Sequence, residues 1–206
     1  MLNFLLACVQ MDPLAIVQAG GYVGIALVVF AESGLLDGLF LPGDSLLFAA
    51  GLLAGTGLLA YGPLAAIVVV AAILGDSIGY WFGRNVGPAL FKRPDSHFFK
   101  QEYVKRAERF YAKYGARAIV LARFIPIVRT LAPILAGVGS MPYRRFLSYN
   151  VLGAFMWGAG IVSLGYFLGT LIPGIEGYIL PISLGIILLS FLPILFNLLS
   201  GKRAIQ

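Results

Sequence analysis

The sequence predicts an all-α polytopic membrane protein: an inverted-repeat, transporter-like bundle with about four spanning helices and two re-entrant hairpins facing each other. Three observations predict it. Of 206 residues, 60% are apolar and only 12% charged, with a mean hydropathy of +0.91. A soluble domain averages about 45–50% apolar, glycine included, and about 25% charged; here 26 glycines come on top of the 60%. The remaining charge is segregated along the chain, and two apolar stretches carry charges, prolines and glycines where a plain span would not. An ordinary soluble globule and a disordered chain are excluded. A disulfide scaffold is excluded too, because the single cysteine, Cys8, has no internal partner.

Charge-free runs place the elements in order. They cover residues 13–31, 45–75, 146–175 and 177–201. Crossing about 30 Å of hydrocarbon takes roughly 20 apolar residues in a helix. Spans are therefore expected at 13–31, 64–83, 146–168 and 178–199. Residues 1–9 are apolar but short and lack a basic leading region, so they read as a helix lying along the membrane rather than a cleaved signal.

The basic residues orient these spans. Between Arg84 and Arg117 lie nine Lys or Arg against three Asp or Glu. Arg144, Arg145, Lys202 and Arg203 add two more basic spots, whereas the connections at 55–63 and 173–177 carry no Lys or Arg. The positive-inside rule then puts both termini and the 84–117 loop in the cytoplasm and the other two connections outside. Residues 98–114 place Tyr103, Ala107, Phe110, Tyr111 and Tyr114 at helical spacing against a basic face, ending at Gly115. That is a cytoplasmic amphipathic helix resting on an anionic leaflet, not a nucleic-acid-binding element.

Parity then identifies the hairpins. Residues 118–141 have cytoplasmic charge on both sides, so they do not cross once, yet they are too apolar for a soluble loop. They hold Arg123, Pro126, Arg129, Pro133, Gly137 and Gly139. Residues 32–59 have the same character, with Glu32, Asp37, Pro42, Gly43 and Asp44. Irregular backbone at membrane depth survives only where protein or a water-filled cavity covers it. Pro42, Gly43, Pro126, Pro133 and Gly137 are the expected hairpin breaks. A shift of 86 residues aligns Ala50-Gly51 with Ala136-Gly137, and residues 77–83 (SIGYWFG) with 163–169 (SLGYFLG). The chain is thus one membrane domain, 1–206, with repeat halves at about 32–83 and 118–169 joined by the 98–114 helix. Weak symmetry around broken segments points to a site at the repeat interface. The glycines also serve close helix packing.

Charges at hydrocarbon depth cost about 2.5–3.5 kcal/mol each, so Glu32, Asp44, Arg123 and Arg129 together cost on the order of 10 kcal/mol. They must face a cavity or one another. One reading is a set of ion pairs locking the hairpins. The other is a functional site, the default for intramembrane ionisable groups. Arginine's planar fork of donors suits phosphate, so Arg123 and Arg129 are the expected phosphate-binding residues. Arginine does not run a proton cycle, so proton coupling or gating falls to Glu32 and Asp44. Asp76 either lines the same cavity or is a solvated helix end. Asp37 reads as interfacial, and Asp12 and Glu176 as solvated ends. His97 reads as a surface residue and Cys8 as a small apolar one. No metal-binding or hydrolytic motif is present, so neither a cofactor nor enzyme activity is expected.

These residues carry a resemblance. Residues 40–48 (FLPGDSLLF), Gly75-Asp76 with Gly79-Tyr80 and Gly83-Arg84, residues 122–130 (ARFIPIVRT) with Ala136-Gly137, and Tyr149-Asn150 with Gly153 and Trp157 resemble the DedA family. This is the bacterial branch of the VTT-domain, or SNARE-associated, membrane proteins. The resemblance runs from about residue 21 to 169. It implies a bacterial inner-membrane protein that moves lipids between leaflets as a flippase or scramblase. Undecaprenyl phosphate or phospholipids are the implied partners, and the proton motive force the implied drive. The family's important acids fall on Glu32 and Asp44 and its arginines on Arg123 and Arg129. The alternative is a proton-coupled cation or small-solute antiporter, which two arginines beside the acids disfavour.

Overall fold

The computed structural model describes residues 13–34, 43–91, 111 and 114–172. The expected span at 178–199, the surface helix at 1–9, most of the 98–114 helix, and Cys8, Asp12, Asp37, Pro42, His97 and Glu176 lie outside them. The described residues form helices joined by short turns, without a strand. We number the helices α1 (Pro13–Gly34), α2 (Gly43–Gly55), α3 (Tyr61–Phe91), α4 (Arg117–Ala122), α5 (Pro126–Val138), α6 (Tyr143–Ala154) and α7 (Gly160–Leu171). A π-helical turn, Phe155–Ala159, joins α6 to α7, giving one 29-residue helix from Tyr143 to Leu171. That helix and the stretch Tyr61–Val86 of α3 are long and apolar enough to cross a membrane.

The shorter helices have legible starts and stops. α1 opens on Pro13, whose missing N–H costs nothing in a first turn. It bends at Gly21, where φ is +52°, a conformation glycine takes freely. α2 is apolar on every side and is buried on nearly every side, as such a helix must be. Its 13 residues rise about 20 Å, short of a full crossing. It ends in a Schellman motif: Leu58 N–H reaches the Leu53 carbonyl (3.0 Å) and Gly57 N–H the Ala54 carbonyl (3.2 Å), with Gly57 at φ +88°.

Residues 118–141 form two short helices with a break between them. Arg123, Phe124 and Ile125 close tight turns onto the carbonyls three residues back. Ile125 is then extended (φ −119°, ψ 109°), the conformation that a following proline imposes, and Pro126 starts α5. Two expected breaks are not breaks. Pro133 sits inside α5, which absorbs the missing N–H. Gly137 is helical and serves packing, because a Cβ there would lie 2.1 Å from the Tyr80 carbonyl. α5 also has 13 residues and ends in a Schellman motif, with Met141 N–H on the Ala136 carbonyl (3.1 Å) and Ser140 N–H on the Gly137 carbonyl (3.0 Å). Here Ser140 takes the positive-φ place (+53°) that glycine fills after α2.

The same succession therefore occurs twice: a 13-residue helix, a Schellman turn and a long helix. The helix bounds coincide at an offset of 83 residues (55 to 138), while the Gly-Tyr motifs coincide at 86. The two sets pack crosswise, α2 against α7 and α5 against α3. In both contacts glycine removes the Cβ that would strike backbone: Gly51 and Gly165 meet in one, Gly83 and Gly137 in the other. The larger core lies among α1, α2, α3 and α7 around Leu46, Leu47, Leu52 and Val68. The smaller one stacks Tyr80 on Phe146, with ring centroids 4.6 Å apart.

Candidate functional site

Five ionisable side chains converge at the centre of this packing. Arg129, from the first turn of α5, donates from Nη2 to Glu32 Oε1 and from Nη1 to Asp44 Oδ1 at 2.9 Å. Arg123, from the break between α4 and α5, donates from Nη2 to Asp76 Oδ2 and to Asn150 Oδ1 at 2.5 Å. Both guanidiniums, Glu32 and Asp76 are almost fully buried, while the Asp44 side chain keeps 24% of its surface. The charges expected to face one another do so.

Glu32 departs from the sequence expectation, and Asp76 takes one of the two places left open for it. Glu32 belongs to the last turns of α1 rather than to a hairpin, since α1 continues to Gly34. It reaches the site because Gly43 has no side chain: a Cβ there would lie 1.3 Å from Glu32 Oε2. Asp76 is not a solvated helix end; it lies mid-α3, buried, as the carboxylate partner of Arg123. Gly153 likewise makes room for Arg123, whose Cδ would lie 2.9 Å from a Cβ at that position.

Two further side chains complete the cluster. Trp157, on the π-helical turn, donates from Nε1 to Asp44 Oδ1 at 2.9 Å. Its ring faces both guanidiniums, with Cζ of Arg129 at 4.5 Å and Cζ of Arg123 at 5.8 Å from a ring centroid, within cation–π range. Asn150 donates to the Ile73 carbonyl at 3.2 Å while accepting from Arg123. Both lie in motifs quoted from the sequence without a role. The signal was their spacing: positions 150, 153 and 157 share one helical face.

The site is not closed upon itself. Arg123 Nε and Nη1, Arg129 Nε, Glu32 Oε2, Asp76 Oδ1 and Ser33 Oγ are buried without a hydrogen-bond partner among the described residues. Such a group costs about 1–3 kcal/mol when left unmade. Three carboxylates against two guanidiniums also leave one formal negative charge when all are ionised.

Comparison with known proteins agrees with the resemblance seen in the motifs. The VTT domain family matches residues 41–167. Protein DedA of Escherichia coli K12 is 44% identical over 185 residues, covering 89% of this chain and 84% of that protein. The uncharacterized membrane protein ML0287 of Mycobacterium leprae is 42% identical over 200 residues, 94% of this chain and 89% of that one. The uncharacterized membrane protein Rv0364 of Mycobacterium tuberculosis is 44% identical over 202 residues, covering 94% and 88% respectively. None of these names denotes an enzyme. No solved structure matches the chain. A domain match spanning more than half the sequence, and identities above 40% across most of each relative, establish that this chain belongs to the DedA family of VTT-domain membrane proteins.

Proposed function

We propose that this protein moves phosphate-bearing lipids, such as undecaprenyl phosphate or phospholipids, between the leaflets of the bacterial inner membrane, with proton coupling. The observation that carries the reading is the pair of buried arginines with N–H donors that meet no partner among the described residues: Nε and Nη1 of Arg123 and Nε of Arg129. Buried guanidinium donors are the chemistry that takes phosphate oxygens. The membrane setting supplies phosphate on lipid headgroups.

In this reading the two halves form an inverted repeat. The segments around α2 and α4–α5 are re-entrant hairpins entering from opposite faces, and both termini are cytoplasmic. The crosswise packing of short on long helices supports it, because a two-fold exchange of halves produces that pattern. Lipid phosphate arriving at the arginines competes with Glu32, Asp44 and Asp76. A carboxylate released from its arginine in a dry site is favoured to take up a proton, which links headgroup binding to proton uptake. A cation antiporter fits less well, since these carboxylates are already engaged by guanidiniums.

Four single variants test the reading. Arg123→Lys and Arg129→Lys keep the charge but lose the fork, so lipid binding is expected to fall at least tenfold. Glu32→Gln and Asp44→Asn are expected to retain binding and lose the response to a proton gradient. Detergent melting temperatures separate these effects from misfolding. Collapse of the fold in all four, with no variant altering binding alone, overturns the assignment and leaves an ion-paired scaffold.

A further inference from the structure

Trp157 touches both arginines and one acid of the cluster, yet it carries no charge and titrates nothing. It sits in the π-helical turn Phe155–Ala159 and is buried. Such turns are rare inside α-helices and recur at functional sites. Glycines fit this one to its neighbours. Gly158 lets the turn lie on α3, since a Cβ there would come 2.9 Å from Val68 Cγ1. Gly153, one turn earlier, leaves room for the Arg123 side chain. The indole is thereby held against the two guanidiniums, with Cζ of Arg129 4.5 Å and Cζ of Arg123 5.8 Å from a ring centroid.

We propose that Trp157 is a positioning residue for lipid phosphate: it holds the Arg129 guanidinium and the Asp44 carboxylate in place while the headgroup separates them. The inference rests on the lipid-transport reading. Asp44 Oδ1 accepts two hydrogen bonds at 2.9 Å, one from Arg129 Nη1 and one from Trp157 Nε1. Asp44 is also the most exposed carboxylate of the cluster, its side chain keeping 24% of its surface against 5% for Glu32 and 2% for Asp76. An arriving phosphate therefore meets the Asp44–Arg129 contact before the buried ones. A phosphate oxygen that takes over Nη1 leaves Asp44 with the indole N–H, so the carboxylate keeps a donor. The ring meanwhile keeps the guanidinium. A cation–π contact uses the positive charge and consumes none of the five N–H donors of arginine. It orients the fork without competing with phosphate for it, whereas Glu32 and Asp44 hold the same cation by occupying Nη2 and Nη1. An aliphatic side chain at 157 would supply neither contact.

The test reads exchange of fluorescent phosphatidylglycerol between the leaflets of proteoliposomes holding the full chain, across a range of lipid mole fractions. Initial rates give a half-saturating fraction and a maximal rate. Trp157→Phe keeps a ring over the guanidiniums and removes the N–H. Its half-saturation is expected to stay within threefold of native while its maximal rate falls at least fivefold. Trp157→Leu removes both contacts and is expected to raise half-saturation at least tenfold. In an Arg129→Lys background, which has no fork to orient, the same leucine change is expected to add less than threefold. An equal effect in both backgrounds means a packing role and overturns the proposal, as does native half-saturation in Trp157→Leu. Circular-dichroism melts check the fold of each variant. If Trp157→Leu does not fold, Trp157→Phe decides: a fivefold fall in rate at native half-saturation supports the proposal, and a native rate overturns it. Each of these outcomes leaves lipid transport standing where Arg129→Lys alone slows exchange. A native chain that exchanges the lipid no faster than protein-free vesicles overturns both readings together.

Discussion

Removing the negative charge of Asp76 isolates Arg123 in a way that the equivalent change at Asp44 does not isolate Arg129. Among the described residues Arg123 has a single carboxylate partner, Asp76, and both side chains retain only 2% of their surface. Asp76→Asn keeps the shape but leaves the buried Arg123 guanidinium without its carboxylate. Breaking a buried pair on one side costs about 3–5 kcal/mol. At about 2–4 °C per kcal/mol for a chain of this size, the melting temperature should fall by about 6–20 °C. Arg129 holds two carboxylates, and Asp44 is the more exposed of them. Asp44→Asn leaves Glu32 in place and still offers Trp157 an acceptor, so one weakened hydrogen bond of about 1 kcal/mol is lost, or about 2–4 °C. Thermal unfolding in a mild detergent, followed by tryptophan fluorescence, measures both. Adding Arg123→Gln to Asp76→Asn should recover at least half of the loss, because the double variant buries no unpaired charge. Equal shifts for the two acids, or no recovery in the double variant, would refute the pairing.

Three further outcomes follow from the packing and the charge map. Gly137→Ala places a Cβ 2.1 Å from the Tyr80 carbonyl and forces α3 from α5, so it should cost about 1–3 kcal/mol. Gly160→Ala meets no atom within 4 Å and should be neutral or gain up to about 1 kcal/mol of helix propensity; thermal melts of the pair check the contrast. Gly43→Ala should displace the Glu32 carboxylate, with which its Cβ overlaps at 1.3 Å, and reduce lipid transport at least tenfold in proteoliposomes. In a Cys8→Ser background, Leu58→Cys, 71% exposed in the turn after α2, should react with an impermeant maleimide from outside intact cells. Reaction only after the cytoplasmic face is opened would reverse the proposed topology.

Much of the helix layout was legible because a membrane span must be long and free of charge. The expected spans at 13–31, 64–83 and 146–168 lie within α1, α3 and the Tyr143–Leu171 helix. The break near Arg123 was legible because Pro126 restricts the residue before it. The cluster was legible as four costly charges that had to face a cavity or one another. Their pairing was not legible. Asp76 is a residue of a long helix, and only the crossing of α3 with the α4–α5 break brings Arg123 to it. Trp157 and Asn150 entered only as motif residues without a role, and the π-helical turn and the neighbouring Gly153 show which face meets the arginines. Pro133 read as a break because proline usually is one, but a helix packed along α3 tolerates a single missing N–H.

Leaflet-resolved transport tests whether the arginine cluster carries lipid phosphate across the membrane. Fluorescent phosphatidylglycerol in proteoliposomes, read by dithionite quenching with and without an imposed proton gradient, compares the native chain with Arg129→Lys at equal reconstitution. The account expects native vesicles to exchange the lipid between leaflets, faster under the gradient, and the lysine variant to be at least tenfold slower with its fold intact. Exchange no faster than in protein-free vesicles, or equal rates for the native chain and Arg129→Lys, would contradict it.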